Sequence, residues 1–366
     1  KYLNLYGKYL REKLSMSGCA RIKNASDLVG KSIICRLPID ILHRIVELMP
    51  IKYAARTSIL SKQWKQLWST QPHLVFDPSF FEYVSHIGCS AVHIIHKILL
   101  HHTGPILGFH LFSETHELSQ SDVDECVIFV SNHSIQKLTL DMANIEKYAL
   151  PSSIITCATL THLKLSRCIF RLPVDAQFPN LVSLKLEDSA FEKPVGPNAQ
   201  FPKLMLPMLE TLELKFCVDV DSVDIVSPNL VNLSILSSYT VTFECFNVEP
   251  IFRKIKHLCL DGSSLKNLGS FPIPDMLNRS LNLQSLRICD VKISVKRIAC
   301  ALCLLRNSPD LVELDIDEVV KVDETVCHTN ELFAYLSKAE KELNQALTMI
   351  RSVILRKFKG TATEMY

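Results

Sequence analysis

Between residues 37 and 68 the apolar positions fall at helical spacing in three short segments. Ile41, Leu42, Ile45, Leu48 and Met49 recur at i, i+1, i+4, i+7 and i+8, which is one face of an α-helix. Pro38 sits at the helix start, where a missing N–H does no harm, and Pro50 stops the segment. The pattern predicts a second short helix over 51–58. Ser61 is placed to cap a third, in which Leu60, Trp64, Leu67 and Trp68 share a face. Helices this short cannot bury so many Leu, Ile and Trp side chains among themselves, so part of that surface is expected to meet another body.

After residue 130 the period changes. The frame L-x-x-L-x-L-x-x-(N/C)-x-L recurs, most clearly over 160–170 and 209–217. Looser copies bring the apolar pairs to eight, with first members at 138, 163, 184, 212, 233, 258, 286 and 314. The intervals are 25, 21, 28, 21, 25, 28 and 28 residues, inside the roughly 20–29-residue period of leucine-rich repeats. Each L-x-L predicts a strand with both leucines inward. Cys168 and Cys217, and Ser189 and Ser263 elsewhere, are expected to take the tight inward position that Asn fills in other repeats. One unit cannot bury its face alone, whereas stacked units form a solenoid. Phe178-Pro179, Phe201-Pro202 and Ser227-Pro228 mark the ends of return segments. A set of unrelated amphipathic strands would not keep these intervals.

Two stretches lie outside the array. Val84, Ile87, Val92, Ile95, Ile98 and Leu99 predict a helix, followed by a strand through Phe109 and Leu111. Residues 330–350 predict another, with Leu332, Leu336, Leu343 and Leu347 on its buried side, and 351–357 a final strand.

The ordered pattern Leu37-Pro38-x-Asp40-Ile41-Leu42-x-x-Ile45, Leu48-Met49-Pro50, Ala54-x-Arg56-Thr57-Ser58-x-Leu60-Ser61-Lys62-x-Trp64-x-x-Leu67-Trp68 resembles the F-box of plant F-box proteins. Residues 99–106 resemble the linker of such proteins, and 347–365 resemble the start of the FBD segment that closes many of them, here breaking off at Tyr366. Over 34–366 the chain resembles the plant F-box/FBD/leucine-rich-repeat family. The resemblance implies an α/β fold: an N-terminal three-helix F-box, then a curved leucine-rich-repeat solenoid with a parallel sheet on its concave face. The expected division is a disordered extension over 1–32, an F-box over 34–77, a linker and first solenoid units over 78–130, repeats over 131–325 and a truncated FBD-like segment over 326–366.

The resemblance also implies a non-catalytic role, as the substrate-recognition adaptor of an SCF-type cullin-RING ubiquitin ligase. The F-box would dock on a Skp-type subunit through Leu37, Pro38, Ile41, Leu42, Ile45, Leu48, Pro50, Leu60 and Trp64. The repeats would hold a protein substrate. Strand alternation turns the residues flanking each inward pair toward the concave side, which nominates Lys164, Lys185, Glu213, Leu236, His257, Arg287, Glu313, Asp315 and Asp317, with Ser166 and Asp261 in the same outward register. That row runs from basic to acidic. The alternative for these charges is simple solubility, and the alternative for the whole chain is a repeat scaffold or ligand sensor with no role in ubiquitination.

Composition narrows the choice. A formal net charge of +2 gives no concentrated basic face for nucleic acid. No apolar run reaches the ~18 residues of a membrane helix. The first residues carry no signal-peptide apolar core, so cytoplasm or nucleus is expected, with Met16 as the start and 1–15 as upstream sequence. Thirteen Cys, mostly in apolar contexts, read as reduced and buried thiols. Cys300-x-x-Cys303 lacks a second pair, and no acidic or Cys residue completes a set with His93 and His96, so no metal and no cofactor is expected. There is no G-x-S-x-G, P-loop, Rossmann or HExxH pattern to suggest an enzyme.

Overall fold

The computed structural model describes residues 34, 37–113, 118–142, 148–193, 202–220, 223–236, 254–268, 281–292, 295–320 and 348–357. The expected extension over 1–32, residues 330–347 of the predicted helix, the end of the FBD-like segment after 357, and Phe201 lie outside them.

The first three helices are α1 (Ile39–Glu47), α2 (Ile51–Thr57) and α3 (Lys62–Ser69). Pro38 and Pro50 are the N-cap residues of α1 and α2, with ψ of 146° and 140°. Their carbonyls accept the first helical bonds, from Ile41 N–H at 3.0 Å and Tyr53 N–H at 2.8 Å. Pro50 therefore opens α2 as well as closing α1. The Ser61 hydroxyl accepts from Trp64 N–H at 3.3 Å and caps α3. Leu42, Val46, Ile51, Ala54, Trp64, Leu67 and Trp68 close the interior of this unit.

The chain then enters a parallel sheet of eleven strands, adjacent in sequence order. Its strands are β1 (His73–Phe76), β2 (Gly108–Ser113), β3 (Lys137–Met142), β4 (His162–Ser166), β5 (Ser183–Glu187), β6 (Thr211–Lys215), β7 (Asn232–Leu236), β8 (His257–Asp261), β9 (Ser285–Lys292), β10 (Glu313–Val320) and β11 (Ser352–Arg356). The eight leucines at 138, 163, 184, 212, 233, 258, 286 and 314 stand in register, each opposite the next. All eight are buried. At about 25 cal/mol per Å2 of apolar surface, each such leucine contributes about 1.5–3 kcal/mol. Leu74 and Phe109 extend the row on one side and Val353 on the other, so the sheet is longer than the eight repeats. The strand His73–Phe76 lies within the span expected for the F-box and pairs with β2 at the edge of the large sheet.

Helices α4 (Pro78–His86), α5 (Ala91–Leu100) and α6 (Gln120–Ser131) lie on the return side near the start, and α7 (Gly262–Leu268) and α8 (Val295–Arg306) near the end. The middle units return instead through two small parallel sheets, Tyr148–Ala149 with Cys168–Phe170 and Ala190–Phe191, and Asp175–Gln177 with Lys203–Met205 and Asp224–Val226, with one short helical turn at Ser152–Ile155. Two of these four units are only 21 residues long, which leaves them little room for a helix. Where helices do return, their ~10 Å width exceeds the ~4.8 Å strand spacing, and the sheet bends to become the concave face. The single helix expected over 84–99 is two, α4 and α5. Gly88, at φ +67°, takes the left-handed turn between them, and Ser90 caps α5.

Each inward turn after a strand repeats one device. Arg167, Asp188 and Phe216, the residues just after β4, β5 and β6, have φ of 60°, 49° and 53°. The next residue, Cys168, Ser189 or Cys217, then points inward and is buried. The Ser189 hydroxyl donates to the Glu187 carbonyl at 2.9 Å and accepts from Cys168 N–H at 3.2 Å. Cys217 Sγ donates to the Leu186 carbonyl at 3.5 Å. In the β8 unit the expected Ser263 is only half-buried. Ser264 takes the inward place, because the chain enters α7 at once and Asp261 caps it, accepting from Ser264 N–H at 2.9 Å.

The three-helix unit sits on the start of the solenoid. Helix α2 packs on α4 and β1. Thr103 N–H donates to the Ser69 carbonyl and Leu107 N–H to the Pro72 carbonyl, both at 2.8 Å. Gly108 on β2 is pressed by His73, whose ring would clash with any Cβ placed there.

Candidate docking face and concave surface

The nine nominated docking residues divide in two. Leu42 and Trp64 are 0% and 6% exposed and belong to the interior. Both pack among the buried side chains of the three-helix unit, so the structure places them in the interior and not on the exposed face. Leu48 and Leu60 are 70% and 58% exposed. Ile41, Pro38 and Pro50 are exposed too, while Leu37 and Ile45 are half-buried. Leu60 does not share the α3 face with Trp64; it precedes Ser61 and points to solvent.

Periodicity missed Ile39, Tyr53 and Ile59, each exposed. Ile39 is the first residue of α1 and Ile59 follows α2, so neither falls on a helical stripe. With Ile41, Leu48 and Leu60 they make six large apolar side chains exposed between residues 39 and 60, well above the scattered singletons of an ordinary surface.

On the concave side the strand register sets Lys164 beside Lys185, then Glu213, Ser234, Cys259, Arg287 and Asp315. Lys164, His257 and Glu313 are exposed and Leu236 is half-buried. Ser166 and Asp261, placed outward by alternation, are instead buried: each ends its strand where the chain turns into the core. Much of the charge is paired across strands. Lys185 Nζ lies 2.9 Å from Glu213 and Lys215 Nζ 2.5 Å from Glu187, while Arg167 pairs with Asp141. The Lys215 ammonium holds the Glu187 carboxyl below the usual range. Arg287 reaches Asp315 at 3.6 Å and Asp317 at 3.3 Å. From β11, Arg356 meets Asp315 at 3.1 Å and Lys357 meets Asp317 at 3.9 Å. The basic-to-acidic row is therefore neutralised at its acidic end by Arg287 from within the repeat frame and by Arg356 and Lys357 from beyond it. Solvent screens exposed pairs of this kind, so each adds little to stability.

The nine described cysteines are all free thiols. Burial pushes Cys168 up to about 12 and Cys217 up to about 11. Cys89, Cys259, Cys289 and Cys303 are only half-buried, a correction to the uniformly buried set expected. Among the described residues, no three His, Cys, Asp or Glu side chains are grouped to hold a metal, and no helix is long and apolar enough to cross a membrane.

A three-helix module with an exposed apolar face, set at the head of a parallel repeat sheet, defines a leucine-rich-repeat-like solenoid with an attached helical unit. Residues 34–76 match the F-box domain, and 123–250 match the leucine-rich repeats of the FBD-associated F-box protein At5g56370. Among curated proteins of Arabidopsis thaliana, F-box/FBD/LRR-repeat protein At1g13570 is 33% identical over 204 residues, covering 54% of this chain and 47% of that one. FBD-associated F-box protein At5g38590 is 29% identical over 206 residues, 54% of this chain and 48% of the relative. FBD-associated F-box protein At3g52670 is 28% identical over 284 residues, 72% and 66%. Over these spans the chain is similar to plant F-box/FBD/LRR-repeat proteins. It spans about half the length of the first two of these relatives.

Proposed function

We propose that this chain is a non-catalytic substrate adaptor of an SCF-type cullin-RING ubiquitin ligase, acting in the cytoplasm or nucleus. Its F-box docks on a Skp-type subunit, and its concave sheet holds a protein substrate close to the ubiquitin-loaded enzyme, so that its contribution to the chemistry is proximity. The observation that carries the reading is the exposed row Ile41, Leu48 and Leu60 within a match to the F-box domain. Leu37, Pro38, Ile45 and Pro50 flank that row.

The test is capture of a purified Skp-type adaptor by wild type and by Leu48→Ala/Leu60→Ala. Truncating anchors of this kind costs about 2 kcal/mol or more each, so capture should fall at least about thirtyfold while the melting temperature stays. Equal capture by both proteins would overturn the reading in favour of a scaffold or sensor without a ubiquitination role. Deleting the three helices is a poorer test, since α2 covers α4 and β1.

A further inference from the structure

Most charges on the concave face are matched within the sheet. Arg167 meets Asp141, Lys185 meets Glu213 and Lys215 meets Glu187, while Arg287, Arg356 and Lys357 meet Asp315 and Asp317. At the head of the face the matching fails. Lys137 on β3 and Lys164 on β4 are exposed, and neither has an ion pair among the described residues. Glu187 feels the Lys164 charge, but its carboxylate is bonded to Lys215. Register also sets Lys164 directly opposite Lys185. Like charges opposed on neighbouring strands weaken the pairing, and elsewhere the same row sets Lys185 against Glu213 and Arg287 against Asp315. The positive surplus is therefore local, and the fold leaves it unrelieved. Lys137 stands opposite His162, and Thr139 opposite Lys164. The four make a square, with the lysines on one diagonal and His162 and Thr139 on the other. The Thr161 hydroxyl, 2.9 Å from His162 Nδ1, fixes that ring.

We propose that this square docks an acidic segment of the protein substrate. Calling the partner a substrate rests on the adaptor reading; the chemistry of the site does not. Lys137 and Lys164 are one strand and two residues apart, about 8 Å between Cα atoms, and carboxylates at i and i+2 of an extended chain stand about 7 Å apart. A segment with Asp or Glu at alternate positions meets both ammonium groups at once, and His162 and Thr139 are placed to meet its backbone. Asp141, Glu187 and Glu213 lie on β3, β5 and β6 and repel a long polyanion, so a short acidic segment fits better than a nucleic acid backbone. The site is two strands from β1, about 10 Å, and α2 packs on β1. An acidic segment held there lies beside the three-helix unit.

The experiment is fluorescence anisotropy of the purified full chain with a fluorescein-labelled peptide of alternating Glu and Gly, beside the same peptide with Gln for Glu. The wild type should bind the Glu peptide at least about fivefold more tightly, and the difference should shrink as salt rises. Lys137→Gln/Lys164→Gln should lose that fivefold at an unchanged melting temperature. Lys62→Gln/Lys65→Gln removes the same charge from exposed positions on α3 and should bind as wild type does. No binding of the Glu peptide, equal binding by wild type and Lys137→Gln/Lys164→Gln, or an equal loss in the α3 pair would overturn the proposal. Tighter binding of an oligothymidine, lost in Lys137→Gln/Lys164→Gln, would overturn it in favour of nucleic acid. Capture of the Skp-type adaptor, measured on the same proteins, should be alike for wild type and Lys137→Gln/Lys164→Gln, so a failure at the square and a failure of the adaptor reading are told apart.

Discussion

Arg356 grips Asp315 with two nitrogens: Nε lies 3.1 Å from Oδ1 and Nη2 3.2 Å from Oδ2. The pair ties β11 to β10 across the solvent face of the sheet. Val353, Ile354 and Leu355 of β11 are all exposed, so little apolar burial holds that strand in place. The carboxylate of Asp315 then matters more for keeping the last strand than for meeting a distant partner. Asp315→Ala should accelerate amide exchange over 352–356 and leave β6 and β7 unchanged. Unaltered exchange in β11 would show that its backbone ladder suffices alone.

The same contact bears on the charge gradient along the concave face. Reversing Asp315 and Asp317 to Lys sets them against Arg287, Arg356 and Lys357. The expected result is a lower melting temperature. A slower association with substrate, at unchanged melting temperature, would mean that the acidic end acts through long-range steering.

Much of this was legible in the sequence, and for a physical reason. A leucine recurring every 21–28 residues leaves no other way to bury its face, and the eight pairs found by interval are the eight rows found in register. The strands at His73–Phe76 and Gly108–Ser113 were harder to read as repeats, because Leu74 and Phe109 lack the full frame. The docking stripe was read as one face, but a helix this short has both a core and a solvent side within two turns. Leu42 and Leu48 differ by six positions and point oppositely.

That division makes a prediction about folding. Leu42→Ala and Trp64→Ala remove buried side chains and should cost about 2–5 and 3–5 kcal/mol of stability respectively. Leu60→Ala should leave urea unfolding nearly unchanged. If Trp64→Ala unfolds at the wild-type midpoint while losing adaptor capture, the tryptophan is a contact residue and its burial is relieved on binding.

Ser189 is the clearest single polar test of the repeat device. Its hydroxyl serves the Cys168 N–H and the Glu187 carbonyl in a buried turn. Ser189→Ala strands both, at a cost of about 1–3 kcal/mol. Ser189→Cys supplies the group that the neighbouring repeats carry and should cost less. Equal losses for the two variants in urea unfolding would mean that volume, and not the hydrogen bonds, decides the position.

The last prediction concerns acid. Burial lowers His102 and His110 below the usual imidazole value near 6.5. For His102, the Pro105 carbonyl opposes that shift and His133 adds to it. For His110, Asp141 and Asp77 oppose it and Lys164 adds to it. In both the folded value lies below the unfolded one, so as pH falls the unfolded chain takes up protons first. Stability is therefore full above about pH 6.5 and declines as pH drops toward the folded values, then levels. Both residues lie where the head of the solenoid meets the three-helix unit, His102 beside the Thr103–Ser69 bond and His110 on β2. The melting temperature of the wild type should fall between about pH 7 and 5.5, and His102→Gln/His110→Gln should flatten that slope whatever its effect on the absolute value. An equal slope in the double variant would assign the acid sensitivity to other groups.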